Sequence, residues 1–156
     1  MPSFIGWVPT PPEFIEGFFE LAPVASRDVV YDLGCGDGRL LFTALEKGAG
    51  RAVGIDIDPE RIVFCREEAK KRNLEDKVTF IQGDVLDVNL SDATVVFCYL
   101  INSASVALKP KFEAQLKPGT RVVMESFPVP GWKPVDTFDK DYLSFYLYVI
   151  PAEQTS

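Results

Sequence analysis

The sequence contains no histidine, which removes the commonest general base and the commonest metal ligand. Cysteine is scarce. Cys35, Cys65 and Cys98 are odd in number and far apart, so neither a disulfide framework nor a Cys-x-x-Cys metal site is available, and no metal is expected. No apolar run reaches the roughly 18 residues of a membrane-crossing helix. The first residues, Met1-Pro2-Ser3-Phe4-Ile5-Gly6-Trp7, lack the basic n-region of a signal peptide. A soluble, cytoplasmic protein with no membrane partner is expected. Basic residues are also in deficit, 16 against 23 acidic, which gives a net charge of −7. Such a surface repels phosphate backbones. The one basic run, Arg66 to Arg72, is interrupted by Glu67 and Glu68 and reads as a solvated helix face. Nucleic acid is therefore disfavoured as a main partner, and basic protein surfaces are favoured, since opposite charge raises encounter rates. There is no internal repeat and no low-complexity region.

What is present fits one globular domain: 156 residues, 47% of them hydrophobic. The chain is organised around Val29-Val30-Tyr31-Asp32-Leu33-Gly34-Cys35-Gly36-Asp37-Gly38-Arg39-Leu40-Leu41. A β-branched apolar run predicts a buried strand with Asp32 at its carboxyl end. Three alternate glycines then predict a tight turn where no Cβ blocks a ligand, with Cys35 packed inside it as a small residue. The spacing of Leu40, Leu41, Ala44 and Leu45 opens a helix. Strand, glycine turn and helix N-terminus make a nucleotide-binding crevice with backbone N–H groups aimed at the ligand. The spacing selects the nucleotide. A dinucleotide fingerprint would place Arg39 where a third small residue is needed, and no Lys-Ser or Lys-Thr follows for a phosphate loop. Asp-x-Gly-x-Gly-x-Gly instead resembles motif I of the class I S-adenosylmethionine-dependent methyltransferases. Their ligand has a cationic sulfonium and an ammonium that suits a carboxylate at Asp32, directly or through water.

Along the rest of the chain, Thr10 and Pro11 predict the start of an amphipathic helix carrying Phe14, Ile15, Phe18, Phe19 and Leu21. A second strand spans Arg51 to Asp56. Asp56 stands 24 residues past Asp32, where a carboxylate in this fold accepts both ribose hydroxyls, and Ile57 follows it at the cofactor edge. Asp58-Pro59 caps the next helix, to about Arg72. Val78 to Gln82 is the third strand. Gly83-Asp84-Val85 after it reads as adenine recognition, with a plain Asp turn as the alternative. Thr94 to Cys98 is the fourth strand, and Tyr99, Leu100 and Asn102 lie beyond its end, near the transferable methyl. A helix from about Ser103 or Ala104 to Leu116, a strand from Arg121 to Glu125, a loop over Phe127 to Pro134, a weak strand around Val135 to Phe138 and a strong one over Leu143 to Ile150 complete the chain. The expected fold is α/β, a Rossmann-like doubly wound seven-stranded sheet with one antiparallel strand. A single methyltransferase domain is expected over residues 1–156, with residues 1–22 forming an N-terminal segment and helix and residues 28–150 forming the core.

Val8-Pro9-Thr10-Pro11, the Asp32 to Arg39 block, Leu108-Lys109-Pro110-Lys111, Leu116-Lys117-Pro118-Gly119-Thr120-Arg121-Val122-Val123, Gly131-Trp132 and Tyr146-Leu147-Tyr148-Val149-Ile150 resemble the small archaeal broad-specificity protein-lysine methyltransferases. These are similar in turn to a eukaryotic mitochondrial lysine methyltransferase group. The resemblance runs from about Val8 to Pro151 and implies that the Pro-Thr-Pro segment covers the cofactor, with Thr10 in contact. Two departures are visible: Asp56 where the family often has Glu, and Tyr99-Leu100-Ile101-Asn102, which fits the family's aromatic-Leu-polar-polar segment only loosely. The expected activity is transfer of a methyl group from S-adenosylmethionine to lysine amines of proteins, leaving S-adenosylhomocysteine. The alternative is a small-molecule N- or O-methyltransferase. Expected cofactor residues are Thr10, Asp32, Gly34, Gly36, Asp56, Ile57, Gly83, Asp84, Val85 and Tyr99; Tyr99 and Asn102 are the expected catalytic pair. The oligomeric state is open, with a monomer favoured.

Overall fold

The computed structural model describes residues 12–99, 102–140 and 142–155. Thr10 and the Pro-Thr-Pro segment lie outside them, as does Leu100. In order the elements are α1 (Pro12–Leu21), β1 (Val29–Leu33), α2 (Arg39–Glu46), β2 (Arg51–Asp56), α3 (Pro59–Lys71), β3 (Val78–Gln82), β4 (Val95–Cys98), α4 (Asn102–Gln115), β5 (Arg121–Glu125), β6 (Trp132–Lys133), β7 (Asp136–Lys140), β8 (Leu143–Val149) and β9 (Glu153–Gln154).

The strands combine into a seven-stranded sheet of order β3-β2-β1-β4-β5-β8-β7. β1 to β5 run parallel, and β8 lies antiparallel to both of its neighbours. This is the class I methyltransferase arrangement expected from the sequence. The strand order reverses between β1 and β4. In open α/β sheets, ligands bind beyond the strand carboxyl ends at that reversal.

Strands buried on both faces need apolar residues at successive positions, which is why β4 reads Val-Val-Phe-Cys, β1 is apolar apart from Asp32, and β5 is apolar between Arg121 and Glu125 at its two ends. Two cores result. One face carries Phe97, Val123 and Phe145 under Phe14 and Phe18 of α1, with Leu41 of α2 and Ile62 of α3 on the same layer. The other carries Leu33, Ile55, Val96 and Tyr148 against Leu108 and Phe112 of α4. Each such side chain contributes about 1.5–3 kcal/mol through burial. α1 approaches closely because Gly17 has no side chain: a Cβ there would meet the Phe145 ring at 2.3 Å. Phe18 can then stack near Phe97 and Phe145, at ring-centre distances of 5.0 and 5.2 Å. At α3, Asp58 caps the helix as expected, its Oδ1 accepting the Glu60 N–H at 2.9 Å with Pro59 behind it.

The expected loop over Phe127 to Pro134 is only partly a loop. Trp132 and Lys133 form β6, which pairs with β9 in a second, two-stranded sheet. Two residues are too few to show an alternating pattern. Tertiary packing makes this strand, because the Trp132 ring is buried between Phe112 and Tyr148. No described helix is long and apolar enough to cross a membrane.

Candidate active site

The glycine turn that follows β1 needs its glycines for conformation. Gly34, Gly36 and Gly38 have φ of 84°, 56° and 80°, the left-handed region that side chains resist. The turn is held from within. The N–H groups of Gly34 and Cys35 both donate to the Ile55 carbonyl, at 2.8 and 3.0 Å, and that of Gly38 donates to Cys35 O at 2.9 Å. The Gly36 N–H donates to Asp56 Oδ2 at 3.0 Å. This corrects the expectation of N–H groups aimed at a ligand: these four donors are already satisfied by the protein. A turn of this kind cannot cradle a phosphate with them, in keeping with the missing phosphate-loop lysine.

Beside the turn lies a cavity of about 190 Å³ lined by Gly34, Asp56, Ile57, Gly83, Asp84 and Val85. Six of the residues singled out from sequence thus come from β1, β2 and β3 to one place. Ile57 is two-thirds exposed there, an apolar surface available to a flat ring. Asp84 is exposed, and its Oδ1 accepts the Leu86 N–H at 2.9 Å, so the plain Asp turn also exists. The two readings of Asp84 are compatible, because one carboxylate oxygen makes the turn and the residue still lines the cavity.

Asp56 has more partners than a pure ribose ligand needs. Besides the Gly36 N–H it accepts the Asp58 N–H at 2.9 Å, and Arg61 Nη1 lies 3.3 Å from Oδ2. Arg61 also approaches Asp58, at 3.5 Å. Asp56 therefore braces the turn onto β2, and a diol must share its oxygens with these donors. The sequence reading missed Arg61; its position one helical turn past a strand-end carboxylate was the available signal.

Asp32 differs. It is buried, accepts no hydrogen bond from the described residues and faces no cation among them. Burial, reinforced by Asp56 and Asp37, pushes its carboxyl up to about 8. Asp37 is neutralised by Arg39, 2.6 Å away. Gly36 is buried within the turn. Tyr99 follows β4 directly, beside the end of β1, with its ring edge-on to Phe14 at 5.0 Å. Its phenol is raised by burial and by the nearby Glu125. Asn102 is the first residue of α4. Glu125, at the end of β5, is only 2% exposed, and sequence reading passed it over although the same strand-end rule had singled out Asp32 and Asp56.

Known proteins resemble this chain in both sequence and fold. Residues 32–136 match the ANTKMT methyltransferase domain. A protein-lysine N-methyltransferase of Saccharolobus islandicus is 38% identical, over 94% of each chain. The adenine nucleotide translocase lysine N-methyltransferase of Mus musculus is 35% identical over 67% of this chain, which spans 45% of that protein. A crystal structure of an RNA methyltransferase from Salinibacter ruber, in complex with S-adenosyl-L-homocysteine, superposes with a TM-score of 0.89 and 41% identity, covering 95% of this chain and 97% of that one. With a near full-length relative, a matching fold and a motif I turn of this form, the chain belongs to the ANTKMT methyltransferase domain family.

Proposed function

We propose that the protein is an S-adenosylmethionine-dependent protein-lysine N-methyltransferase. One observation carries the cofactor half of the reading: a buried carboxylate, Asp32, with no counter-charge among the described residues, beside a cavity built from three strand ends. Buried carboxylates are ordinarily paired. A ligand with an ammonium and a sulfonium supplies the missing positive charge, whereas a phosphate-bearing dinucleotide would bring negative charge towards Asp32, which has no cation beside it among the described residues. The residues fit the group. Gly83, Asp84, Val85 and Ile57 would hold the adenine, Asp56 the ribose, Gly34 and Gly36 the backbone approach, and Asp32 the amino-acid end. The cavity of about 190 Å³ suits the nucleoside portion, and the remainder would run past the turn towards Tyr99. Thr10 would cover it.

When bound, S-adenosylmethionine supplies an electrophilic methyl carbon. The chain's own contribution is to place a neutral amine in line with it. Positioning of this kind can lower a barrier by as much as about 7–11 kcal/mol in favourable intramolecular cases. Tyr99 and Asn102 would orient the amine, the aromatic face of Tyr99 stabilising positive charge on nitrogen. A protein substrate is supported by the lysine-modifying relatives, and a basic one by the net charge of −7. Three buried free cysteines suit a reducing, cytoplasmic setting.

The Salinibacter relative favours RNA as a second acceptor, against which the acidic charge stands. Incubating the purified chain with methyl-labelled cofactor, a panel of lysine-rich proteins and a structured RNA, then mapping the label, separates the two. Label on lysine Nζ is expected. Label confined to RNA, or to neither, would overturn the reading.

A further inference from the structure

We propose that Glu125 is the residue that receives the substrate amine, binding it as an ammonium at Oε2 and taking its proton. The inference rests on the lysine reading above.

Glu125 closes β5 at the carboxyl edge of the sheet, between the ends of β4 and β8; Cys98 pairs with Met124, so Tyr99 stands next to Glu125, and Phe145 is its register partner on the other side. By alternation it shares a face with Val123, the face covered by α1. Phe14 of α1 reaches both flanks, with ring-centre distances of 5.0 Å to Tyr99 and 6.3 Å to Phe145. Glu125 thus stands in a neighbourhood that holds Tyr99, Phe145 and Phe14, a combination that serves an alkylammonium well: one charge to pair with and aromatic rings nearby.

Nothing among the described residues satisfies this carboxylate fully. It is 2% exposed, and among the described residues its one hydrogen-bond partner is the Ser126 hydroxyl, which bonds Oε1; no salt bridge reaches it. Ser126 holds φ of 66°, a conformation that favours glycine, yet it carries the side chain that orients Glu125. Strained backbone next to a buried acid with no cation beside it among the described residues is the pattern of a site shaped for a ligand rather than for stability. Burial raises the Glu125 carboxyl, which the Ser126 bond opposes, and this brings its basicity closer to that of an amine. Its titratable neighbours on β4, Tyr99 and Cys98, are themselves raised and stay neutral near pH 7, while α1 presents phenylalanine on this side.

The step balances. The ammonium N–H bond breaks and its proton goes to Oε2, leaving a neutral amine and a carboxylic acid. The amine lone pair forms the N–C bond as the donor's C–S bond breaks, giving a methylammonium and a thioether. The carboxylic acid then returns the proton to solvent.

The test compares wild type with Glu125→Gln, which keeps the shape, and Ser126→Ala, which keeps the carboxylate. Cytochrome c, a lysine-rich basic protein, serves as the acceptor. At pH 8 Glu125→Gln is expected to lower kcat/KM by about 100-fold or more, the range of general-base contributions, with cofactor affinity unchanged. Its rate should climb with unit slope towards the lysine pKa of about 10.4, whereas wild type flattens earlier. Ser126→Ala should shift that flattening to higher pH. Without cofactor, Glu125→Gln should melt no lower than wild type, and its advantage should grow with pH, because the wild-type acid is progressively forced to ionise in place. A folded, cofactor-binding Glu125→Gln enzyme with wild-type rates and pH profile overturns the assignment while leaving the lysine reading intact. A Glu125→Gln melting point well below wild type at every pH marks a structural acid and also overturns it. A wild type that binds cofactor but methylates no amine overturns both.

Discussion

Asp28 and Asp32 bracket the same strand, and both are almost fully buried. Their surroundings are opposite. At the amino end, Asp28 accepts the Ala25 N–H at 2.8 Å and the Thr94 hydroxyl at 2.9 Å, and pairs with Arg121 at 3.4 Å. Thr94 in turn receives the Val29 N–H. At the carboxyl end, Asp32 has neither hydrogen bond nor cation among the described residues and two other aspartates in its field. One acid has been given every partner it needs, and its work is to join β1, β4 and β5. The other lacks such partners among the described residues, which costs the fold stability and is the gap that the proposed cationic ligand would fill.

The comparison breaks most visibly at Asp28. Asp28→Ala is expected to remove about 3 kcal/mol of stability, because it takes from half-buried Arg121 and Thr94 the buried carboxylate they share. Denaturant unfolding should read this loss, while cofactor affinity of the folded fraction stays near wild type. Asp32→Asn should do the reverse. Cofactor binding by calorimetry is expected to weaken by about 2–5 kcal/mol, as for loss of one partner in a buried charged pair. Unliganded stability should hold or rise. A loss of stability at Asp32 comparable to that at Asp28 would erase the distinction.

pH sharpens it further. The folded carboxyl of Asp32 lies near 8, above its unfolded value of about 4, so the folded state binds the extra proton between them. Unliganded wild type should therefore lose stability from this group as pH rises from about 4 to 8, and Asp32→Asn should lack that component. Melting curves across this range test it. A cationic ligand favours the ionised form, so cofactor affinity should strengthen as pH approaches 8, with proton release below it.

Smaller effects separate Asp56 from Asp58. Asp58→Ala should lose about 1 kcal/mol of helix capping and leave cofactor affinity largely intact. Asp56→Ala should reduce both stability and affinity, since Asp56 braces the Gly36 amide as well as lining the cavity. The smallest effect is on encounter. Raising salt should slow methylation of a basic protein through kcat/KM without altering kcat, because screening acts beyond about 8 Å at physiological ionic strength. Salt-independent kcat/KM would remove the electrostatic argument for a basic partner.

Much of this architecture could be read from residue order. β2, β3 and β5 have the bounds expected from their apolar runs, and Asp58-Pro59 starts α3 where its capping chemistry requires. Asp32, Asp56 and the Gly83 to Val85 turn were legible because strand ends can be found and acids at strand ends are conspicuous. Three things were not. β6 exists through the burial of Trp132, a tertiary fact. The inward bonding of the glycine turn depends on Ile55 O and Asp56, which sequence places some 20 residues away. Glu125 looked like an ordinary end of a strand until β4 and β8 closed around it, and only then did its lack of a cation become visible.

The buried cysteines acquire a meaning from the chemistry next to them. A protein that holds an activated methyl group exposes its own nucleophiles to alkylation, and sulfur is the most dangerous of these in its thiolate form. Cys98 closes β4 between Asp32 and Glu125, and burial together with those two carboxylates drives its thiol far above the ordinary range. Cys35, within the glycine turn, is held up first by its contact with Cys65, then by burial and Asp32. The Cys65 thiol is itself committed, donating to Gly36 O at 3.1 Å. Burial, with the Cys65 contact at Cys35 and some help from the neighbouring acids, thus keeps the thiols of Cys98 and Cys35 protonated, so the site is chemically deaf to its own reagent.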